Sequence, residues 1–295
     1  MNRGKNQFIV SFLALPVGLY AVFVLFPYFS AFFFAFTRWS GLSANIQFNG
    51  VNNFIKLFAD EKFWNALSHN GSALVFLPPI ILTLALFFAF LFTQGIKGDR
   101  FFRITYFFPQ VLSVVIVAVL WGFIYHPTIG ILNSVIDLFN IPAMESFPWL
   151  GDRRTVFPAV LGVVVWSSVG FYMVLRIAGM QTIPRDYYEA ATVDGASRWG
   201  MFVNITVPLI WDTIRTALVF IAIGAMDLFS IVTVMTNGTG GPSRAADVVP
   251  VYLYSKAFSE GQFGYATAMG LVLLFLVLAL SILSLRFTAR ESFEF

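Results

Sequence analysis

Residues 187–210 read YYEAATVDGASRWGMFVNITVPLI, and the chain on either side is of another kind. Before them runs VFPAVLGVVVWSSVGFYMVL (156–175) and after them TALVFIAIGAMDLFSIVTVM (216–235). A bilayer-crossing helix needs about 20 mostly apolar residues, and both flanks supply them. The polar stretch is therefore a loop between two spans, and its own punctuation is that of structure. In TIPRDYYEAATVDG (182–195), Pro184 suits a first helical turn, Asp186 and Glu189 sit near the positive end of the helix, and Gly195 stops it. That predicts a short helix of about three turns. In ASRWGMFVNI (196–205), Ser197 is a natural N-cap for a second short helix, which Pro208 stops while opening the next span. Helices lying on lipid headgroups favour a basic face with large apolar residues opposite. The first helix here is acidic and, at Ala190 and Ala191, nearly without side chains. Another protein surface fits it better than a membrane surface.

Composition carries the same message along the whole chain. Of 295 residues 58% are hydrophobic, 18% aromatic and only 11% charged, with a mean hydropathy of +0.80. A soluble domain carries roughly 25% charged residues, so most of this surface faces lipid or protein. With no cysteine, disulfides, thiolate metal sites and cysteine nucleophiles are all excluded. His69 and His126 lie far apart without a carboxylate at ligand spacing, so no metal site and no catalytic constellation is expected. His126, in YHPTIG (125–130), reads as a structural residue at a helix end. A pI near 9.2 belongs here to membrane topology and not to nucleic acid.

Six segments are long and apolar enough to span: Phe8–Phe36, Ser72–Thr93, Ile104–Tyr125, Val156–Ile177, Thr213–Met235 and Tyr265–Phe287. The basic start MNRGKNQ resembles a signal peptide, but the apolar run is too long and no small-residue cleavage site follows, so it reads as an uncleaved first span. Of the 18 Lys and Arg, the larger share lies on one set of flanks: Arg3 and Lys5, the 97–103 turn, Arg176, the 185–215 stretch, Arg286 and Arg290. By the positive-inside rule that side is the cytoplasm, which holds both termini and the loop 178–212. The opposite loops, 37–71, 126–155 and 236–264, are too short for domains. No internal repeat is evident, and the expectation is one membrane domain over 1–295.

The motif EAATVDGASRWGMFVNITVP (189–208) resembles the EAA loop of inner-membrane permease subunits of binding-protein-dependent ABC importers. That pattern is Glu-Ala-Ala, three residues, Gly, nine residues, Ile, one residue, Leu-Pro. Here Glu189, Ala190, Ala191, Gly195, Ile205 and Pro208 all fall in register, with Val207 in place of Leu. FNGVNNFIKLF (48–58), FFPQVLSVVIVAVLWGFIYHPTIGILN (107–133) and MDLFSIVTVMTNGTGGP (226–242) extend the resemblance to the carbohydrate branch, related to disaccharide and glycerol-3-phosphate permeases. The resemblance implies an all-α membrane protein of the type I ABC importer permease fold, with six transmembrane helices and a cytoplasmic coupling helix. It places the chain in a bacterial inner membrane, as half of a carbohydrate pathway. It also implies a second homologous permease, a dimer of ATP-binding subunits and an extracytoplasmic solute-binding protein. Glu189 would anchor the ATPase, Ala190, Ala191 and Gly195 would admit close docking, and Pro208 would fix the joint to the fifth span. Asp194 and Ile205 complete the set.

The sequence has no Gly-x4-Gly-Lys-Ser/Thr loop, so this chain is not expected to hydrolyse ATP itself; the resemblance implies no cofactor on this chain, with ATP and Mg used by the partner ATPase. For the substrate path, Asp227 is the one acid well inside an expected span, and an intramembrane carboxylate is a functional candidate. It either hydrogen-bonds a sugar hydroxyl or holds two helices together. Trp121, Trp166, Phe171 and Tyr172 are aromatic candidates for stacking on a sugar face, against the ordinary lipid-facing or core role. NGTGGPSR (237–244) either meets the external binding protein or is a plain turn. A same-architecture permease for polyamine or phosphonate, an ion-coupled transporter and a membrane enzyme are the other readings; the last two lack paired intramembrane ionisable groups and catalytic clusters.

Overall fold

A computed structural model describes residues 2–139 and 146–287. Arg290 and residues 140–145, part of the expected loop 126–155, lie outside the described residues. In chain order, α1 runs through Asn2–Tyr20 and Phe26–Ala35, joined by a π-turn at Ala21–Leu25; β1 (Thr37–Arg38) and β2 (Gln47–Phe48) follow, then α2 (Asn52–Phe58) and α3 (Glu61–Thr93). Next come α4 (Asp99–Val111), α5 (Val114–Ile124), α6 (Ile131–Asp137), α7 (Val156–Gln181) and α8 (Arg185–Val193). The helical stretch α9 covers Arg198–Met201, a π-turn at Phe202–Thr206 and Val207–Leu209. It is followed by α10 (Trp211–Met226), α11 (Phe229–Met235), α12 (Val249–Tyr254) and α13 (Phe263–Phe287).

The chain is helical and apolar as expected, but the spans are less uniform than the hydropathy suggests. Among the described residues, four helices are long and apolar enough to cross a membrane unaided, and up to six spans result if each sharply bent pair counts as one. The expected span 104–125 is broken between α4 and α5, which meet at 103°. Leu112 is extended there (ψ 146°), and the Ser113 hydroxyl caps the new helix by accepting from Ile116 N–H at 3.4 Å. The expected span 213–235 stops at Met226 and resumes at Phe229. The second expected span begins at Glu61 rather than Ser72. A two-residue antiparallel ladder, Thr37 opposite Phe48, is the one β element among the described residues.

Two compact units emerge. In the first, residues 1–64 with 252–275, Ala35, Ala268 and Leu271 form a small core. Buried Asn53 donates to the carbonyls of Ala35 (2.8 Å) and Thr37 (2.9 Å), which the end of α1 leaves without helical partners. The Asp60 carboxylate accepts from Tyr252 (2.7 Å) and Tyr265 (2.6 Å). Burial pushes its pKa up, but these two hydroxyls and the N–H groups of Lys62 and Phe63 together hold it below the ordinary value.

The second unit, residues 65–251 with 276–295, holds the larger core. Where lipid is as apolar as any side chain, helices associate by close packing and hydrogen bonds rather than by escape from water. Small residues at helical spacing provide the packing. Asn70, Ala73, Leu77, Ile81, Ala85 and Ala89 form one fully buried stripe along α3. On α7, Gly170 lies so close to the Tyr106 carbonyl of α4 that any Cβ would collide with backbone. Asn70 supplies the hydrogen bonding. Its Nδ2 donates to the carbonyls of Ala225 (2.9 Å) and Met226 (3.3 Å), and its Oδ1 accepts from Val249 N–H at 2.9 Å. The end of α10 thereby keeps its orphan carbonyls satisfied, which is the condition for breaking a helix in a membrane.

Candidate functional site

Two places in the second unit concentrate polar chemistry. The first is the quoted loop. Helix α8 starts after Pro184, which occupies the N-cap rather than the first turn (φ −57°, ψ 139°). It ends in a Schellman arrangement: Ala196 N–H reaches Ala191 C=O (2.9 Å), Gly195 N–H reaches Thr192 C=O (3.1 Å), and Gly195 takes φ +76°. An added Cβ at Gly195 meets nothing within 4 Å, so the left-handed backbone alone explains the glycine within this chain. Ser197 caps α9 as expected, its hydroxyl accepting from Gly200 N–H at 3.1 Å. Tyr188 and Thr206 exchange a hydroxyl hydrogen bond of 2.9 Å, fastening α8 to the foot of the next span. Pro208 has no N–H to give, and the turn before it is wide, with Val207 N–H reaching back to Phe202 C=O. Pro208 therefore sits before the bend, which follows at Ile210, where α9 and α10 meet at 69°. Glu189, Ala190, Asp194, Gly195 and Pro208 are exposed, Ile205 is half-buried and Ala191 is buried.

Arg176 is a correction to the charge count. The charge pattern places it with the water-facing flanks, yet it is completely buried. Its Nη1 donates to the Thr213 carbonyl at 2.5 Å, tying the end of α7 to the start of α10 across the loop. Its Nε and Nη2 have no partner among the described residues.

The second place is a cavity of about 410 Å³ lined by α3, α4, α5, α7, α10 and α11. Leu77, Ile81, Val117 and Val164 form apolar wall, while Gln110, Ser167, Ser168, Tyr172, Asp227 and Ser230 bring polar groups to it. Both helix breaks open here: Pro109, Gln110 and Leu112 come from the end of α4, Val114 from the start of α5, and Gly224, Asp227 and Ser230 flank the α10–α11 break. Each break presents the carbonyl end of one helix and the N–H end of another. Asp227 thus sits in the break itself (φ −114°, ψ 75°) rather than inside a span, and it is exposed to the cavity. The side chains of Asp227, Gln110, Ser168, Ser230 and Tyr172 make no hydrogen bond among the described residues.

Asp227 and Tyr172 are brought together, and the two tryptophans are not. Trp121 and Trp166 pack edge to face (5.4 Å, 72°) away from this lining. Phe171 packs on Tyr172 (5.2 Å, 77°). The 237–244 stretch is a series of tight left-handed turns, closed by an Arg244–Asp247 ion pair of 2.7 Å. Gln110, Ser167, Ser168, Ser230 and Asn70 escaped the sequence reading. Pro109 and Ser113, a proline followed by a capping residue inside an apolar run, are the signal that marks the first break.

The family model for "Binding-protein-dependent transport system inner membrane component" matches residues 72–292. The diacetylchitobiose uptake system permease protein NgcF of Streptomyces coelicolor is 39% identical over 278 residues, 91% of this chain and 78% of that protein. The multiple sugar-binding transport system permease protein MsmF of Streptococcus mutans is 30% identical over 283 residues, 95% of this chain and 94% of that protein. In the crystal structure of a bacterial ABC transporter involved in the import of the acidic polysaccharide alginate, one chain superposes with a TM-score of 0.82 at 23% identity, covering 97% of this chain and 96% of that one.

Proposed function

The chain belongs to the family of inner-membrane components of binding-protein-dependent transport systems, and from that premise we propose that it is the permease subunit forming half of a carbohydrate pathway in an ATP-driven importer. The observation that carries this reading is the cavity where two broken helices converge on unspent polar groups. Discontinuous membrane helices place carbonyl and N–H ends at a solute site that continuous helices cannot supply. Sugar hydroxyls match such a lining because each is both donor and acceptor. The names of the relatives, a diacetylchitobiose permease, a multiple-sugar permease and a lactose permease, support a saccharide cargo.

On this proposal 1–295 is one permease domain with six spans, each bent pair acting as one, and with both termini and the loop 178–212 in the cytoplasm. The exposed face of α8 docks in a separate ATP-binding subunit that uses ATP and Mg. Glu189 is its polar anchor, Ala190 and Gly195 admit close approach, and Asp194 lies at the same surface. Ala191, Ile205 and Pro208 hold the helix against the next span. A second homologous permease completes the pathway and an external binding protein delivers the solute.

The test is co-purification of the ATPase, with sugar uptake into proteoliposomes, for Glu189→Lys and Gly195→Pro. Both variants are expected to lose ATPase binding and uptake. Undiminished binding and uptake in both would sink the coupling assignment. Uptake of a polyamine in place of any saccharide would overturn the cargo.

A further inference from the structure

Asp227 is the one carboxylate among the lining residues of the cavity, and no lysine, arginine or histidine lines it. Its side chain has no hydrogen bond or ion pair among the described residues, although it is exposed to the cavity. Arg176, one turn beyond Tyr172 on α7, is buried and bonded to the Thr213 carbonyl, and it does not line the cavity. Arg215, on α10, lies against Asp212 at 3.9 Å. The wall around Asp227 is apolar at Leu77, Ile81, Phe220, Leu228 and Ile231, so its charge is screened less than it would be in water. At the same cavity the carbonyl ends of α4 and α10 bring partial negative charge and the N–H ends of α5 and α11 partial positive charge, so the two breaks carry no net sign and Asp227 sets it. Gln110, Ser168, Ser230 and Tyr172 are uncharged, and none of them offsets it.

Resting on the carbohydrate-permease reading, we infer that Asp227 makes this cavity a charge filter for saccharides. It accepts from the O–H groups of neutral sugars and from the ammonium of amino sugars, and it repels uronates and sugar phosphates. A permease can share the overall fold of an importer of acidic polysaccharide while its own cavity selects against acid, because fold and lining are set by different residues.

The experiment uses the importer with its second permease and ATPase subunits in nanodiscs, without the binding protein, so that the membrane site alone is read. Saturation-transfer NMR at a pH of about 6, where amines are protonated and uronates ionised, compares cellobiose, its diamino counterpart and its uronic acid. The amino disaccharide is expected to bind at least about tenfold more tightly than the uronate, a difference of about 1.4 kcal/mol, with cellobiose between them. In Asp227→Asn this order should collapse while cellobiose still binds through the amide, and Asp227→Lys should reverse it. Equal binding of all three by the wild type overturns the filter and leaves the permease reading standing. If Asp227→Asn fails to assemble with the second permease, the carboxylate belongs to the subunit contact and the inference falls. If none of the sugars binds, the cavity is not a saccharide site and the function reading falls with it.

Discussion

In the loop, Tyr188 bonds Thr206, Ser197 caps Gly200 N–H, and Gly195 closes a helix whose Ala190, Ala191 and Thr192 carbonyls are engaged. In the cavity, the side chains of Gln110, Ser168, Tyr172, Asp227 and Ser230 make no hydrogen bond among the described residues. On the proposed function the loop transmits force and must keep its shape, which spent hydrogen bonds provide. On the same proposal the cavity passes solute and must leave its donors and acceptors free for something that comes and goes. Mutations in the loop should therefore cost stability first, and mutations in the cavity should cost binding first.

The largest expected effect tests whether the cavity's openness rests on a rigid frame. Asn70→Ala removes three hydrogen bonds from a fully buried site. With unmet buried groups costing roughly 1–3 kcal/mol each, a loss of about 3 kcal/mol or more is expected. Intrinsic tryptophan fluorescence during thermal unfolding in detergent would read it, and a wild-type midpoint would break the account of the α10–α11 gap. Next, Tyr188→Phe and Thr206→Val should each cost about 1–2 kcal/mol by leaving one hydroxyl unpaired. Their double mutant should cost less than the sum, and strict additivity would mean that the bond does not fasten the loop. Transport per ATP hydrolysed should fall in both single variants.

Smaller still, Gly195→Ala should cost about 1–2 kcal/mol through backbone strain alone, since its Cβ has open space. Removing the Ser197 cap with Ser197→Ala should cost about 1 kcal/mol. At the far end, Ser168→Ala and Ser230→Ala should leave unfolding within about 0.5 kcal/mol of wild type, because neither hydroxyl holds the protein together, while saccharide uptake falls. Equal loss of stability in cavity and loop variants would erase the contrast between the two regions.

The legibility of the two regions differs for the same reason. Capping, helix stopping and wide turns are local, so Ser197, Gly195 and Pro208 announce the loop through neighbours a few residues away. The cavity is made by Gln110, Ser168, Tyr172, Asp227 and Ser230, which chain distance separates and hydropathy does not distinguish from lipid-facing residues. Asp227 stood out only because a carboxylate is costly in an apolar run. Trp121 and Trp166 have the chemistry to stack on a sugar but do not line this cavity. Arg176 looked like a flanking charge because windowed hydropathy cannot see that a helix end is covered.

By itself, then, the sequence determined a helical membrane protein, the approximate places of its apolar segments, and a short capped helix in one polar loop. These follow from transfer energies and backbone punctuation, which act over one or two turns. Tertiary structure decided where helices break, which breaks share a cavity, and which polar side chains are spent on the fold. A break is tolerable only when distant atoms, here Asn70 toward Ala225 and Met226, satisfy the backbone it frees. No local pattern specifies that partner, because the two meet only once the helices have packed.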